Sequence, residues 1–191
     1  SGSAGDETSS ISLKGGSTTI GTLSADESVT WSLNGGSDES LFNIDSTSGV
    51  LTFSNSPSSE NNYKVNISAT DSVGNESNHL VTVIIDNASP LITGPTGSAE
   101  GDLESTTSIE ENNNAVLTFS SNETVTWSKN GGTDASKFNL DSSSGELSFI
   151  NAPDFENKLD SDTNNIYEIK VRATDSAGNT SDQELTVNIV D

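Results

Sequence analysis

The sequence has no cysteine, no methionine, one histidine and only seven lysines and arginines among 191 residues. Without cysteine, disulfide staples and thiol chemistry are excluded. Stability has to come from packing or a bound ion, and the redox compartment leaves no mark. With one histidine and no thiol, a zinc or copper site of the usual kind has no ligands. Basic residues are scarce against 29 acidic ones, so the formal charge is 7 − 29 = −22. So acidic a surface repels phosphate backbones and anionic headgroups, and neither nucleic acid nor a membrane is expected as a partner. Apolar runs are short: "LVTVII" (80–85) falls far below the roughly 20 residues of a membrane helix. No secretory leader pattern opens the chain, and "SGSAGDET" (1–8) reads as a linker or cloning remnant.

Hydrophobic residues make up 29% of the chain, close to the range of disordered sequences, but they cluster in strand-sized runs. The chain also repeats itself. "ESVTWSLNGGSDESLFNIDSTSGVLTF" (27–53) matches "ETVTWSKNGGTDASKFNLDSSSGELSF" (123–149) at an offset of 123 − 27 = 96. "ISATDSVGNES" (67–77) matches "VRATDSAGNTS" (171–181) at 171 − 67 = 104. The difference, 104 − 96 = 8, is an insertion within "NKLDSDTNN" of the second copy. Two domains are therefore expected, 1–87 and 88–191, divided near "DNASP" (86–90), and each is of ordinary small-domain size.

Inside each copy the hydrophobic period is 2. Tyr167, Ile169, Val171 and Ala173 share one face of "YEIKVRA", and Tyr63, Val65, Ile67 and Ala69 do the same in "YKVNISA". Gly-Gly, Ser-Gly and Gly-Asn turns punctuate the strands, and no helical period shows. The expected fold is all-β: two tandem antiparallel Greek-key β-sandwiches of about seven strands each, with Trp31 and Trp127 plugging the cores.

The acidic residues gather where strands end. "APDFENKLDSDTN" (152–164) carries Asp154, Glu156, Asp160 and Asp162, whereas copy 1 has Ser58 in place of Asp154 and keeps only Glu60. Asp154 and Glu156, spaced i, i+2 beside Pro153, are expected on one side of an extended segment. Asp71 and Asp175 sit where strands run into turns, and Asp86 and Asp191 close the last strands. Carboxylates that converge without bases repel one another. A hard cation removes that repulsion, and calcium takes about six to eight oxygens in loose geometry. "DSDTN" (160–164) has the spacing with which calcium loops often begin, without the glycine and distant glutamate of an EF-hand, so a plain solvated loop stands beside that reading.

Several segments together resemble the cadherin-like repeats of large bacterial surface proteins and adhesins. "FNIDSTSGVLTF" and "FNLDSSSGELSF" resemble the F-x-hydrophobic-D-x-x-[TS]-G segment, and "PDFEN" the L-D-x-E motif. "ATDSVGN" and "ATDSAGN" resemble A-x-D-x-G, "IDNASP" the inter-repeat linker, and "SIEEN" the early glutamate segment. Immunoglobulin-like modules of bacteria share parts of this pattern. The resemblance implies calcium between successive repeats. Carried over residue by residue, it assigns Glu60, Asp86 and Asn87 from copy 1 and Asp175 with Asn122 or Glu123 from copy 2 to the junction. To the far end of copy 2 it assigns Glu110 or Glu111, Asp154, Glu156 and Asp191, while Asp71 would lie at the unpaired end of copy 1. Copy 1 departs from the pattern at Ser58 and at "ISLKGG", which offers Lys14 where copy 2 has glutamate.

Other readings carry less. Asp45 and Asp141 read as turn residues that bond their own backbone. Glu100, Asp102 and Glu104 read as exposed, and His79 as a plain surface residue with no nucleophile-elbow signature near it. Lys64 and Lys170 alternate outward, which disfavours a buried lysine crosslink. No enzyme is expected. The expectation is an extracellular, monomeric fragment of a longer chain that acts as a calcium-stiffened adhesin stalk with adjacent repeats as partners. A module holding polysaccharide or another cell surface is the alternative.

Overall fold

A computed structural model describes residues 7–95 and 100–191. The expected linker at 1–8 lies outside the described residues up to residue 6, and the first strand already begins at Thr8. The chain forms two compact units, Ser1–Asn87 and Ala88–Asp191.

Among the described residues unit 1 contains seven strands: β1 (Thr8–Leu13), β2 (Thr19–Thr22), β3 (Thr30–Leu33), β4 (Phe42–Ile44), β5 (Val50–Phe53), β6 (Asn61–Thr70) and β7 (Glu76–Ile85). They make two sheets in the orders β1-β7-β6-β3 and β2-β5-β4. The chain crosses from one sheet to the other between β1 and β2, β2 and β3, β3 and β4, and β5 and β6. A sandwich results, because the apolar face of each sheet has no other partner to bury against. Trp31, Phe42, Leu51, Phe53, Val65, Ile67, Val81, Val83 and Ile85 fill the space between them. The period-2 face read from "YKVNISA" is this inner face: Val65 and Ile67 are completely buried.

Unit 2 repeats the plan. Its principal strands are β9 (Glu104–Glu110), β10 (Ala115–Thr118), β12 (Thr126–Lys129), β13 (Phe138–Leu140), β14 (Glu146–Phe149), β15 (Ile166–Thr174) and β16 (Thr180–Val190). They form sheets in the orders β12-β15-β16-β9 and β10-β14-β13. A two-residue ribbon, β8 (Ile92–Thr93) with β11 (Ser120–Ser121), is added. Trp127 lies inside with Phe119, Phe138, Phe149 and Tyr167, and Phe149 meets Tyr167 edge-on at 4.9 Å between ring centroids.

The hairpin pairs are antiparallel, but the first strand of each four-stranded sheet joins it in parallel. β1 pairs with β7 (Ile11 opposite Val83) and β9 pairs with β16 (Ile109 opposite Ile189). Alternation in a sequence specifies which face is buried and says nothing of direction. Direction is fixed by where the chain enters the sandwich.

Candidate metal centre

At the end of unit 2 where β16 stops, the chain leaves β9 through Glu111, whose N–H donates to Val190 O at 2.9 Å. The next residue, Asn112, donates its N–H to Pro153 O at 2.8 Å and so brings the 153–157 segment against the end of β9. Asn112 takes a left-handed backbone (φ 59°), which turns the chain there. The Phe155 N–H then donates to Glu111 Oε2 at 2.7 Å. Asp154 Oδ1 accepts the N–H groups of Glu156 (3.1 Å) and Asn157 (2.9 Å).

The segment is thus an Asx turn, not the extended stretch expected from the i, i+2 spacing. Asp154 folds the chain back on itself because its short carboxylate reaches its own backbone. The turn still brings the acids together: one oxygen each of Glu111, Asp154 and Glu156 lies within 4.8 Å of the others. Among the described residues the ion pairs are Lys170–Glu184 and Arg172–Asp182, so no lysine or arginine neutralises this group. The bonds above engage Glu111 Oε2 and Asp154 Oδ1 and leave the second oxygen of each, and both of Glu156, outside them. The donor set is all carboxylate, half-buried at Glu111 and Asp154 and exposed at Glu156. Its chemistry fits a hard cation such as calcium.

Of the two glutamates offered by "SIEEN", Glu111 joins this group; Glu110 is exposed on β9, opposite Val190. Asp191 follows β16 and is exposed.

The equivalent end of unit 1 is built differently. Gly16 N–H donates to Pro57 O at 2.8 Å, matching Asn112 to Pro153. Gly15 stands where unit 2 has Glu111, and Ser58 stands for Asp154. The Asn87 amide fills the gap: its Oδ1 accepts from Gly15 N–H at 2.8 Å and its Nδ2 donates to Ser58 O at 3.0 Å. A Cβ on Gly15 would lie 2.6 Å from Asn87 Oδ1. A neutral amide bridge therefore occupies this end of unit 1. Glu60 is exposed just before β6, and Asp86 is half-buried with its N–H donating to Leu13 O at 3.0 Å.

At the opposite end of unit 2, the β15–β16 turn holds Asp175. Its Oδ1 accepts from the Ala177 and Asn179 N–H groups, both at 2.8 Å, and its Oδ2 from Asn179 Nδ2 at 2.9 Å. An oxygen of Asp175 also lies within 4.8 Å of one of Glu123. Asn122 Oδ1 accepts the Leu91 N–H at 2.7 Å. Asp71 organises the same turn in unit 1, bonding Val73 N–H, Asn75 N–H and Asn75 Nδ2. The Asn75 side-chain bond, first, and its backbone N–H hold the Asp71 carboxyl below the ordinary aspartate range. Asp175 is buried and Asp71 half-exposed.

The inserted loop is not a plain solvated one. Asp160 is 5% exposed and accepts N–H groups from Asn164 (2.7 Å) and Asn165 (3.2 Å). Burial works against its ionisation most strongly, yet the Asn164 N–H, the hydrogen bond shared with Asp162 and the Asn165 N–H together outweigh it, and the carboxyl is held below its ordinary value. Asp162, exposed beside it, is pushed up, chiefly by sharing a hydrogen bond with Asp160. Ser161 N–H donates to Asp134 Oδ1 at 2.8 Å, and Asp134, almost fully buried, also accepts the Glu168 N–H at 3.0 Å. Sequence reading passed over Asp134 and its counterpart Asp38, which accepts the Lys64 N–H at 2.9 Å. Their recurrence in the two "NGG[ST]D" stretches was the only signal of a role. Asp160 and Asp162 fall in neither group of converging acids.

His79 is not a plain surface residue either: it is half-buried, with Nε2 2.7 Å from Ser9 Oγ. The parallel β1–β7 pairing makes this contact. Unit 2 has the buried Ser105 and Gln183 at the same places, with Ser105 Oγ donating to Gln183 Oε1 at 3.3 Å. Glutamine cannot act as a base, so the unit 2 pair is a polar contact without nucleophile activation.

No family model matches the chain, and no curated protein matches it. Solved structures of cadherin extracellular domains are similar to it in fold. The chain is 15% identical to a structure of Protocadherin Gamma B2 extracellular cadherin domains 3-6, with a TM-score of 0.44, covering 98% of this chain and 52% of that one. For human CDH23 EC21-23 the identity is 16%, the TM-score 0.42 and the coverage 97% and 73%. For Drosophila N-cadherin EC1-4 the values are 19%, 0.42, 96% and 48%. The chain spans about half the length of the first and third of these.

Proposed function

We propose that the chain is a pair of extracellular adhesion-type repeats from a longer protein, and that calcium binds at a repeat end and stiffens the array. The observation that carries this is the convergence of Glu111, Asp154 and Glu156 within 4.8 Å without a neutralising base. Three unpaired carboxylates at that spacing repel, and the repulsion grows as water is excluded. The cost is recovered when a divalent ion takes one oxygen from each. Three protein ligands leave most of a calcium coordination sphere to water or to an acidic segment of a following repeat, with Glu110 preceding Glu111 and Asp191 following Val190, the residue whose carbonyl accepts the Glu111 N–H, as further candidates. When bound, the ion supplies charge neutralisation only. The chain's residues supply the geometry: Asp154 shapes the turn, Glu111 fastens it to β9, and Glu156 closes the triangle. Glu60, Asp86, Asn87, Glu123, Asp175, Asp71, Asp160 and Asp162 remain candidate ligands of the same kind.

An adhesive or spacer role at a cell surface is the part of this reading that the array of repeats would perform. A polysaccharide-binding module would need an aromatic platform. No tryptophan, tyrosine or phenylalanine is exposed, all ten being among the described residues, so stacking on sugar rings has no surface here.

Thermal unfolding in EDTA, then across a calcium series and a matched magnesium series at fixed ionic strength, tests the reading. A site that binds only the folded chain adds about 2.7 kcal/mol at a hundredfold excess over its dissociation constant. The midpoint of unit 2 is expected to climb with calcium and not with magnesium, and E111Q/D154N should abolish the climb. A midpoint indifferent to calcium sinks the metal reading and leaves an acidic spacer.

A further inference from the structure

Each unit carries an Asn-Gly pair at the same place, Asn34–Gly35 and Asn130–Gly131, in nearly identical contexts, "SLNGGS" and "SKNGGT". Both lie in exposed loops after the tryptophan strand, and both are clamped in the same way. Asn34 N–H donates to Asn66 O and Asn66 N–H donates to Gly35 O, each at 2.8 Å; Asn130 and Gly131 make the same two bonds to Lys170. The glycine carries no Cβ to hinder approach to the preceding side chain. A Cβ at Gly35 would have only Asn66 Nδ2 near it, at 3.9 Å, so the site is open.

The two side chains differ in what they touch. Asn34 Nδ2 donates to the neutral amide oxygen of the exposed Asn78 at 2.8 Å. Asn130 Nδ2 donates to the Asp182 carboxylate at 3.0 Å, and that carboxylate is itself held ionised by the fork of Arg172 at 2.7 and 2.8 Å.

We propose that Asn34 is a site of spontaneous deamidation, and that Asp182 protects its counterpart Asn130. The Gly35 backbone nitrogen loses its proton and bonds to Asn34 Cγ. The bond from Cγ to the side-chain nitrogen then breaks and ammonia leaves. Water opens the resulting succinimide at either carbonyl, giving aspartate or isoaspartate at position 34, with nothing oxidised or reduced. The attack builds negative charge on the backbone nitrogen and then on the side-chain oxygen. In unit 1 the nearest acceptor is uncharged and leaves that development unopposed. In unit 2 the Asp182 carboxylate bonds the reacting amide directly and opposes it. The charge-assisted bond also holds the Asn130 amide more firmly than an amide–amide bond holds Asn34, restricting the rotation that brings Cγ to the glycine nitrogen. The product differs too: an aspartate at 34 faces Asn78, whose amide can turn to donate, whereas one at 130 would face Asp182.

The test is incubation of the intact chain at mildly alkaline pH with peptide mass mapping over time. Conversion at Asn34 is expected to run several-fold faster than at Asn130 in the folded chain, and at equal rates in urea, where only local sequence acts. N78D installs the unit 2 arrangement in unit 1 and should slow Asn34 several-fold; D182N should accelerate Asn130. Equal folded-state rates, a difference that persists in urea, or an Asn34 rate unmoved by N78D in a variant with an unchanged circular dichroism spectrum would each overturn the proposal.

Discussion

Single acidic side chains here fold loops by accepting their own backbone N–H groups. Asp141 shows this most fully: its Oδ1 takes the N–H and hydroxyl of both Ser143 and Ser144. The Ser144 N–H, then the two hydroxyls, hold its carboxyl far below the ordinary range, and Asp45 is lowered in the same way by Ser48 first. A folded-state pKa below the unfolded one means the stabilisation is complete above the ordinary aspartate pKa of about 3.9 and is lost only as pH falls through the lower folded value. Carboxyl NMR shifts should therefore show Asp45 and Asp141 titrating last in acid, and D141N should blunt acid unfolding in that region. The inserted loop gives the opposite sign. Asp162 is raised by its neighbour, so its ionised form opposes the fold once pH exceeds that raised value. In EDTA, D162N should raise the unfolding midpoint at pH 7 and lose the advantage in acid. D160A should instead destabilise the fold by about 1–3 kcal/mol, because the Asn164 and Asn165 N–H groups would be left without an acceptor.

At the scale of elements, the tryptophan of each unit packs against the glycine of the "STSG" or "SSSG" turn. Gly49 has φ 71°, and a Cβ on it would stand 2.8 Å from Leu23 O and 2.9 Å from Trp31 Nε1. Gly145 repeats this against Phe119 O and Trp127. G49A should cost about 1–3 kcal/mol from the left-handed backbone alone, with the tryptophan displaced as well. Tryptophan fluorescence during denaturant unfolding would report both. The edge strand β1 contributes Ile11 and Leu13 to the core of unit 1. Deleting residues 1–13 should expose β7 and turn unit 1 into an aggregating species, visible by light scattering. A β1 that adds nothing to solubility or stability would contradict the parallel pairing.

Across the whole molecule, each unit has a separate hydrophobic core. Excised 1–87 and 88–191 should each unfold cooperatively on their own, by calorimetry. A net charge of −22 makes both compact states repel themselves, so the midpoints should rise with sodium chloride as screening tightens. The calcium effect should be confined to unit 2 and should survive at high salt. A calcium response in unit 1 alone would place the site at the wrong repeat end.

The all-β class, the duplication, the inward faces of β6 and β15, the buried tryptophans and the turn role of Asp45 and Asp141 were legible in the order of residues alone. These rest on period, offset and local reach, which a one-dimensional pattern records. It also marked "PDFEN" as the richer end, since Ser58 and Lys14 break the pattern in the other copy. That Glu111 and not Glu110 meets Asp154 emerges in the folded chain, because the direction of a side chain past a strand end depends on the turn at Asn112. Only the tertiary structure showed Asn87 bridging Gly15 and Ser58, Asp160 buried against its loop, and β1 and β9 running parallel to their neighbours. Apart from the Asp160 loop, whose bonds are local, each of these is a contact between residues distant in sequence, fixed by how the sheets and their ends close on one another, and no local pattern carries that information.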